Sequence, residues 1–178
     1  MTEKELVLCE KAGDVDAFCT LYDRYKRKLY NYAYYKLGNT QDAEDAVQDC
    51  MLAAYARLEQ LKKAEAFAAW LYAILDHGCM AGIKAQIARR EQADIDAYAN
   101  SLSAAQSADL ESQELRQALG ILSEENQNIV LLSVVVGLSS REVAKITGLT
   151  AGTVRQRLRR SLSLSLIHIS EPTRHAQI

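Results

Sequence analysis

Apolar positions along this chain return with the spacing of helices. From Asp16 to Leu37, the residues Phe18, Leu21, Tyr22, Tyr25, Leu29, Tyr32, Ala33 and Leu37 recur every three or four positions, which predicts one amphipathic helix. Gly38-Asn39 supplies a stop signal and Thr40 is an acceptable N-cap. Asp42, Glu44 and Asp45 then set negative charge at the positive end of the next helix dipole. In that second helix Ala43, Val47, Cys50, Met51, Ala54 and Leu58 share a narrow arc, with Asp45, Gln48, Asp49, Leu52 and Ala56 opposite. Leu52 is an apolar residue on a polar face. It is either a lone surface leucine, which is common, or part of a partner-binding surface. A third helix is expected over residues 64–90, with Phe67, Trp70, Leu71, Ile74 and Leu75 inside and Trp70 in the core.

The pattern lapses over residues 91–114, EQADIDAYANSLSAAQSADLESQE, where acids mix with Ser and Ala without a sustained apolar stripe, as in a flexible linker between domains. It resumes with Leu115, Leu119 and Leu122 in a short helix, then an apolar helix from about Glu125 through Val136 that ends at Gly137. Ser139-Ser140-Arg141-Glu142 fits a capping box, opening a helix with Val143, Ala144 and Ile146 inside and Gly148 at its end. Thr150 caps one more helix. Its projection places Ala151, Val154, Leu158 and Leu162 inside and Thr153, Gln156, Arg159 and Arg160 outside, with Arg155 and Arg157 on the flanks. Two helices joined by a tight Gly-containing turn, the second basic on its outer face, make a helix-turn-helix.

Composition sharpens this picture. Only one proline, Pro172, and 8 glycines punctuate 178 residues, so the fold class is all-α: two small helical domains, 1–90 and 115–162, joined by a flexible acidic linker. The net charge of -2 conceals a segregation: residues 1–90 carry 13 basic and 13 acidic side chains, 91–114 carry 0 and 6, and 115–178 carry 8 and 4. Position therefore says more about nucleic-acid binding than the total does. Cys9, Cys19, Cys50 and Cys79 are far apart and lack a histidine at ligand spacing, so they are expected to be buried free thiols, with no metal and no cofactor. No signal peptide precedes Leu6 and no apolar run approaches the length of a membrane span, which implies a cytoplasmic protein without membrane insertion. No nucleophile triad, metal cluster or Gly-rich phosphate loop is present, so an enzyme is not expected.

Arg155, Arg157, Arg159 and Arg160 crowd like charge into about one and a half turns, unrelieved by acids, which calls for an anionic partner. A major groove admits such a helix: Arg can pair bidentately with guanine and Gln with adenine, while flanking basic groups neutralise phosphates. Thr153, Arg155, Gln156, Arg157, Arg159 and Arg160 are accordingly the candidate DNA-contacting set.

These stretches resemble a known family. GDVDAFCTLYDRYKRKLYNYAYYKLGNTQDAEDAVQD and FAAWLYAIL, within residues 12–90, resemble the first conserved domain of bacterial RNA polymerase sigma factors; LSSREVAKITGLTAGTVRQRLRR, within 115–162, resembles the second. With two domains and a short linker the chain resembles the extracytoplasmic-function (ECF) group of the sigma-70 family. The resemblance implies that Asp45, Gln48, Asp49 and Leu52 contact core RNA polymerase, which would give Leu52 a purpose. It implies a promoter-melting loop near residues 61–66 with Lys62 and Lys63 on the DNA backbone, and reading of an upstream promoter element by the second domain. Promoter DNA, core polymerase and an anti-sigma factor are the implied partners. In the same comparison Asp76 and His77 stand where the family shows a less acidic segment. Within the terminal SLSLSLIHISEPTRHAQI, the stretch SLIHISEPTR resembles translated vector or sequencing-adapter sequence, so residues 163–178 are expected to be a non-native tail and are set aside in reading the fold. The alternative function is a stand-alone helix-turn-helix regulator that works without polymerase and has no use for the Asp45 to Leu52 face.

Overall fold

The structure, a computed structural model, describes residues 1–93 and 119–170, with side chains placed for 1–88 and 119–163; every regular element among them is helical. The chain divides into two compact units, 1–103 and 104–178. The expected short helix around Leu115 and most of the expected linker lie outside the described residues.

The first unit begins with a helix the periodicity did not predict, α1 (Glu3–Lys11). Thr2 and Glu5 close a capping box around its N-terminus, and Leu6 and Val7 are buried beneath it. Helix α2 (Val15–Leu37) opens on the Asp14 carboxylate, which accepts from the amides of Asp16 and Ala17, and closes on Gly38 in the left-handed region at φ 85°. Helix α3 (Thr40–Arg57) corrects one expectation. Its N-cap is Asn39 rather than Thr40, because the Asn39 side-chain carbonyl accepts from the Asp42 amide at 2.7 Å. Two short 3-10 turns, Leu58–Gln60 and Ala64–Ala66, lead into α4 (Phe67–Ala93), which runs three residues past the expected end at 90.

Burial follows the predicted stripes. Leu21, Leu29, Tyr32, Ala43, Ala54, Leu58, Phe67, Leu71, Tyr72, Leu75 and Cys79 are sealed from solvent. Each large side chain among them contributes roughly 1.5–3 kcal/mol by leaving water. Edge-on ring contacts knit α2 to α4: Tyr25 meets Phe67 at 5.6 Å and Tyr32 meets Tyr72 at 5.8 Å between centroids. Trp70 sits at the margin, half-buried against Phe67, rather than in the core. Cys50 and Cys79 are buried as expected, but Cys9 is half-buried, on α1 away from its buried pair Leu6 and Val7, and Cys19 is exposed, off the buried stripe of α2.

One further expectation is revised. By length and composition alone, Ala64–Ala88 is apolar enough to cross a membrane. Its apolar side is spent inside the unit, where Phe67, Leu71, Tyr72, Leu75 and Cys79 are buried, and Asp76 and Lys84 interrupt the run.

In the second unit Leu119 and Leu122 are buried beside α5 (Glu124–Val130). This helix loosens into a π-turn, Leu131–Val135, where the Val136 amide reaches back to the Leu131 carbonyl. Gly137 at φ 84° releases the chain. Helix α6 (Ser140–Thr147) starts with the expected box: the Glu142 carboxylate accepts from the Ser139 amide at 2.8 Å, and Ser139 Oγ accepts from the Glu142 amide. Gly148 at φ 72° then turns the chain into α7 (Ala151–Ser170), where Thr150 Oγ1 accepts from the Thr153 amide at 3.2 Å. Helix α7 continues to Ser170, so residues 163–170 are helical. No proline or glycine stands between Arg160 and Pro172 to stop it.

Candidate nucleic-acid and partner interfaces

Val154 on α7 is fully buried and faces the unit's interior, which turns Arg155, Gln156, Arg159 and Arg160 outward, all exposed. Two members of the expected set have internal commitments. The Arg157 guanidinium forms an ion pair with the Glu125 carboxylate on α5, and the Thr153 hydroxyl lies 2.9 Å from that of Thr150. The helix therefore offers three arginines and one glutamine to solvent, while Arg157 serves as a brace between α5 and α7. Its inner face also shifts: Leu162 is 37% exposed and Ser161 is buried at 1%, so the stripe is rotated by one residue beyond Leu158.

In the first unit α3 carries Asp45, Gln48, Asp49 and Leu52 on its solvent side, and Leu52 is 61% exposed. The structure adds to this face on either flank. Between α2 and α3 lies a groove of about 500 Å³ in which Leu52 and Gln48 are joined by Tyr22, Lys26, Arg27 and Tyr30. Between α3 and α4 a second groove is walled by Asp42, Asp45, Asp49, Gly82 and Gln86. Sequence reasoning placed Tyr22 on the inner stripe and missed the first groove. The available signal was Lys26, a charged residue that borders the same arc.

Lys62 and Lys63 are exposed between buried Leu61 and Ala64, so the loop projects both ammonium groups outward. It is held from below by α1: Lys11 Nζ donates to the carbonyls of Leu61 and Glu59, and Lys4 pairs with Glu65 at 2.6 Å. The hydrogen bond from Lys4 holds the Glu65 carboxyl below the usual carboxylate range. On α4, Asp76 accepts from the Tyr32 phenol and forms an ion pair with Lys36, so this acid is engaged inside the unit. Among the described residues no group of three or more His, Cys, Asp or Glu side chains could hold a metal ion.

This pair of units, one helical block with an acidic and apolar outer helix and one helix-turn-helix with outward arginines, defines a two-part DNA-binding protein. Residues 21–90 match the model of sigma-70 region 2 and residues 112–164 that of sigma-70, region 4. The chain is 31% identical over 177 residues to the ECF RNA polymerase sigma-E factor of Escherichia coli K12, covering 90% of this chain and 91% of that protein. It is 28% identical over 176 residues to the ECF RNA polymerase sigma factor SigW of Bacillus subtilis, covering 90% and 92%. To the ECF RNA polymerase sigma factor BldN of Streptomyces coelicolor it is 30% identical over 157 residues, 85% of this chain but 60% of that longer protein. In fold it is similar to CnrH in complex with the cytosolic domain of CnrY, at a TM-score of 0.74 and 23% identity over 96% of this chain and 99% of that one. A second likeness is to the sigma factor RpoE of Bartonella quintana in complex with the anti-sigma factor NepR, at 0.71 and 23% over 88% and 98%. The chain belongs to the sigma-70 family, among the ECF RNA polymerase sigma factors.

Proposed function

We propose that the chain joins core RNA polymerase as a dissociable initiation subunit and directs it to particular promoters, acting by binding alone. The second unit reads an upstream promoter element through Arg155, Gln156, Arg159 and Arg160. Arg157 contributes a phosphate contact only when it leaves Glu125, and Thr153 one only when its hydroxyl leaves Thr150. The first unit docks on polymerase through Asp45, Gln48, Asp49 and Leu52. Lys62 and Lys63 hold the backbone while the strands part, and capture of unpaired bases offsets a few kcal/mol of the opening cost. The domain division that serves this is 1–90, 91–114 and 115–162. Work of this kind belongs in the cytoplasm, and an anti-sigma factor covering the same faces would switch it off.

The observation that supports this reading most is that one chain carries both exposed surfaces, the α7 arginines and the α3 face around Leu52. A free-standing repressor needs only the first. Reconstituted transcription from a promoter library with core polymerase tests it, since recruitment, reading and opening must all occur for RNA to appear.

A further inference from the structure

Between the single 3-10 turns Leu58–Gln60 and Ala64–Ala66 the chain forms a short bridge, extended at Leu61 (φ -68°, ψ 106°) and at Lys63 (φ -129°, ψ 115°). Leu61 and Ala64 are buried at its ends, and Lys62 and Lys63 stand exposed between them. Neither turn has a side-chain cap at its start, so the bridge is not held by its own neighbours in sequence. The hold comes from α1. Lys11 Nζ donates to the carbonyls of Glu59 and Leu61, 48 and 50 residues further along the chain, and Lys4 pairs with Glu65 at 2.6 Å. Seven residues apart, these two lysines share one face of α1 and reach opposite ends of the bridge. Lys11 lies in the last turn of α1, where a cation also suits the helix dipole. Burial, then the Glu59 carboxylate, push the Glu10 acid up, and the Lys11 ammonium opposes them.

A helix that only filled space would need nothing beyond Leu6 and Val7, which α1 buries. Its two lysines instead go to a loop that lacks caps of its own, and α1 lies ahead of the stretch matched to region 2. Ordering a free loop at the moment of DNA contact costs conformational entropy, whereas a loop already set in its working course has met that cost in folding. We propose that α1 is the positioning element of the melting loop. Lys11, with Lys4 in support, fixes the course of residues 61–63 and so presents Lys62 and Lys63 to the parting strands. This rests on the role proposed above for those two lysines. Lys11 and Lys4 touch no DNA themselves and act through the loop backbone.

The test is RNA synthesis by the full chain with core polymerase on one promoter that the unaltered chain uses. That promoter is presented as duplex and again with its start region already unpaired by mismatches. Lys11→Met should lower RNA from the duplex about tenfold, the scale of a lost hydrogen bond to a charged group, and leave RNA from the unpaired template unchanged. Lys4→Glu sets like charge against Glu65 and should lower duplex output about threefold. Adding Glu65→Lys to that variant should restore it. Circular dichroism checks that helix content is kept, and if Lys11→Met unfolds the unit, the exchange of Lys4 and Glu65 decides. Unchanged duplex output in the folded variants overturns the proposal. So does an equal loss on both templates, which would make α1 a support of the whole unit and not of the loop. An unaltered chain that starts no RNA on any promoter overturns the initiation reading and this proposal with it, so the two failures are distinguishable.

Discussion

Tyr32 donates its phenolic O–H to Asp76 at 2.7 Å, a bond that ties α2 to α4 beside their ring contacts. The Lys36 ammonium pairs with the same carboxylate, and both charged side chains are largely withdrawn from water. Burial, more than the neighbouring carboxylate, pushes the Tyr32 phenol well above its usual range. An acid at this position thus has a partner on each side. Asp76→Ala leaves the Lys36 charge without its carboxylate and should cost about 3 kcal/mol in urea unfolding. A loss below about 1 kcal/mol would mean that the pair is solvated.

The helix-turn-helix depends on two local devices. Ser139→Ala removes the acceptor for the Glu142 amide and should cost about 1 kcal/mol. Gly148→Ala forces a side chain into φ 72° and should cost about as much, with no clash to blame since the space around it is open. Thermal unfolding of the full chain checks both. A neutral Gly148→Ala would show that the turn relaxes.

Arg155→Ala or Arg160→Ala should weaken promoter-duplex binding by roughly 1–3 kcal/mol if these residues read bases. Equal loss on random duplex would make them phosphate contacts. Glu125→Gln frees the Arg157 guanidinium, so it should strengthen duplex binding and steepen its salt dependence by about one phosphate contact. A slope that stays the same would confine Arg157 to bracing.

Cys50 and Cys79 each have their thiol pushed up to about 12 by burial, from an ordinary 9.0. A raised folded value means that the stability from these neutral thiols is complete below the unfolded value and is lost as pH climbs from about 9 toward 12. Unfolding midpoints should therefore fall in that alkaline window, and they should fall less in Cys50→Ala. Alkylation at pH 8 should label exposed Cys19 first and reach Cys50 and Cys79 only on unfolding. Early labelling of Cys79 would contradict the packing.

Much of this molecule was legible in its sequence because its caps and stripes are strong and local. The Asp16 to Leu37 stripe, the Ser139 to Glu142 box and the Gly148 turn are each decided by residues within a few positions. What escaped the sequence depends on partners distant along the chain. Ser161 is buried where Leu162 was expected, an exchange that the period of α7 alone does not decide. Arg157 looked free until Glu125 was placed beside it. Tyr22 belonged by period to the inner stripe, yet it borders an open groove because α3 stands off from α2 there. Helix α1 was missed because its apolar pattern is only nine residues long.

The central claim is that the α3 face serves polymerase while the α7 arginines serve DNA. Charge reversal at Gln48→Lys with Asp49→Lys tests it most directly, measured as affinity for core RNA polymerase beside affinity of the same variant for promoter duplex. The account predicts a polymerase affinity lowered at least about tenfold, as expected when like charges face each other across an interface, with duplex binding unchanged. Unchanged polymerase affinity, or parallel loss of both, would contradict it.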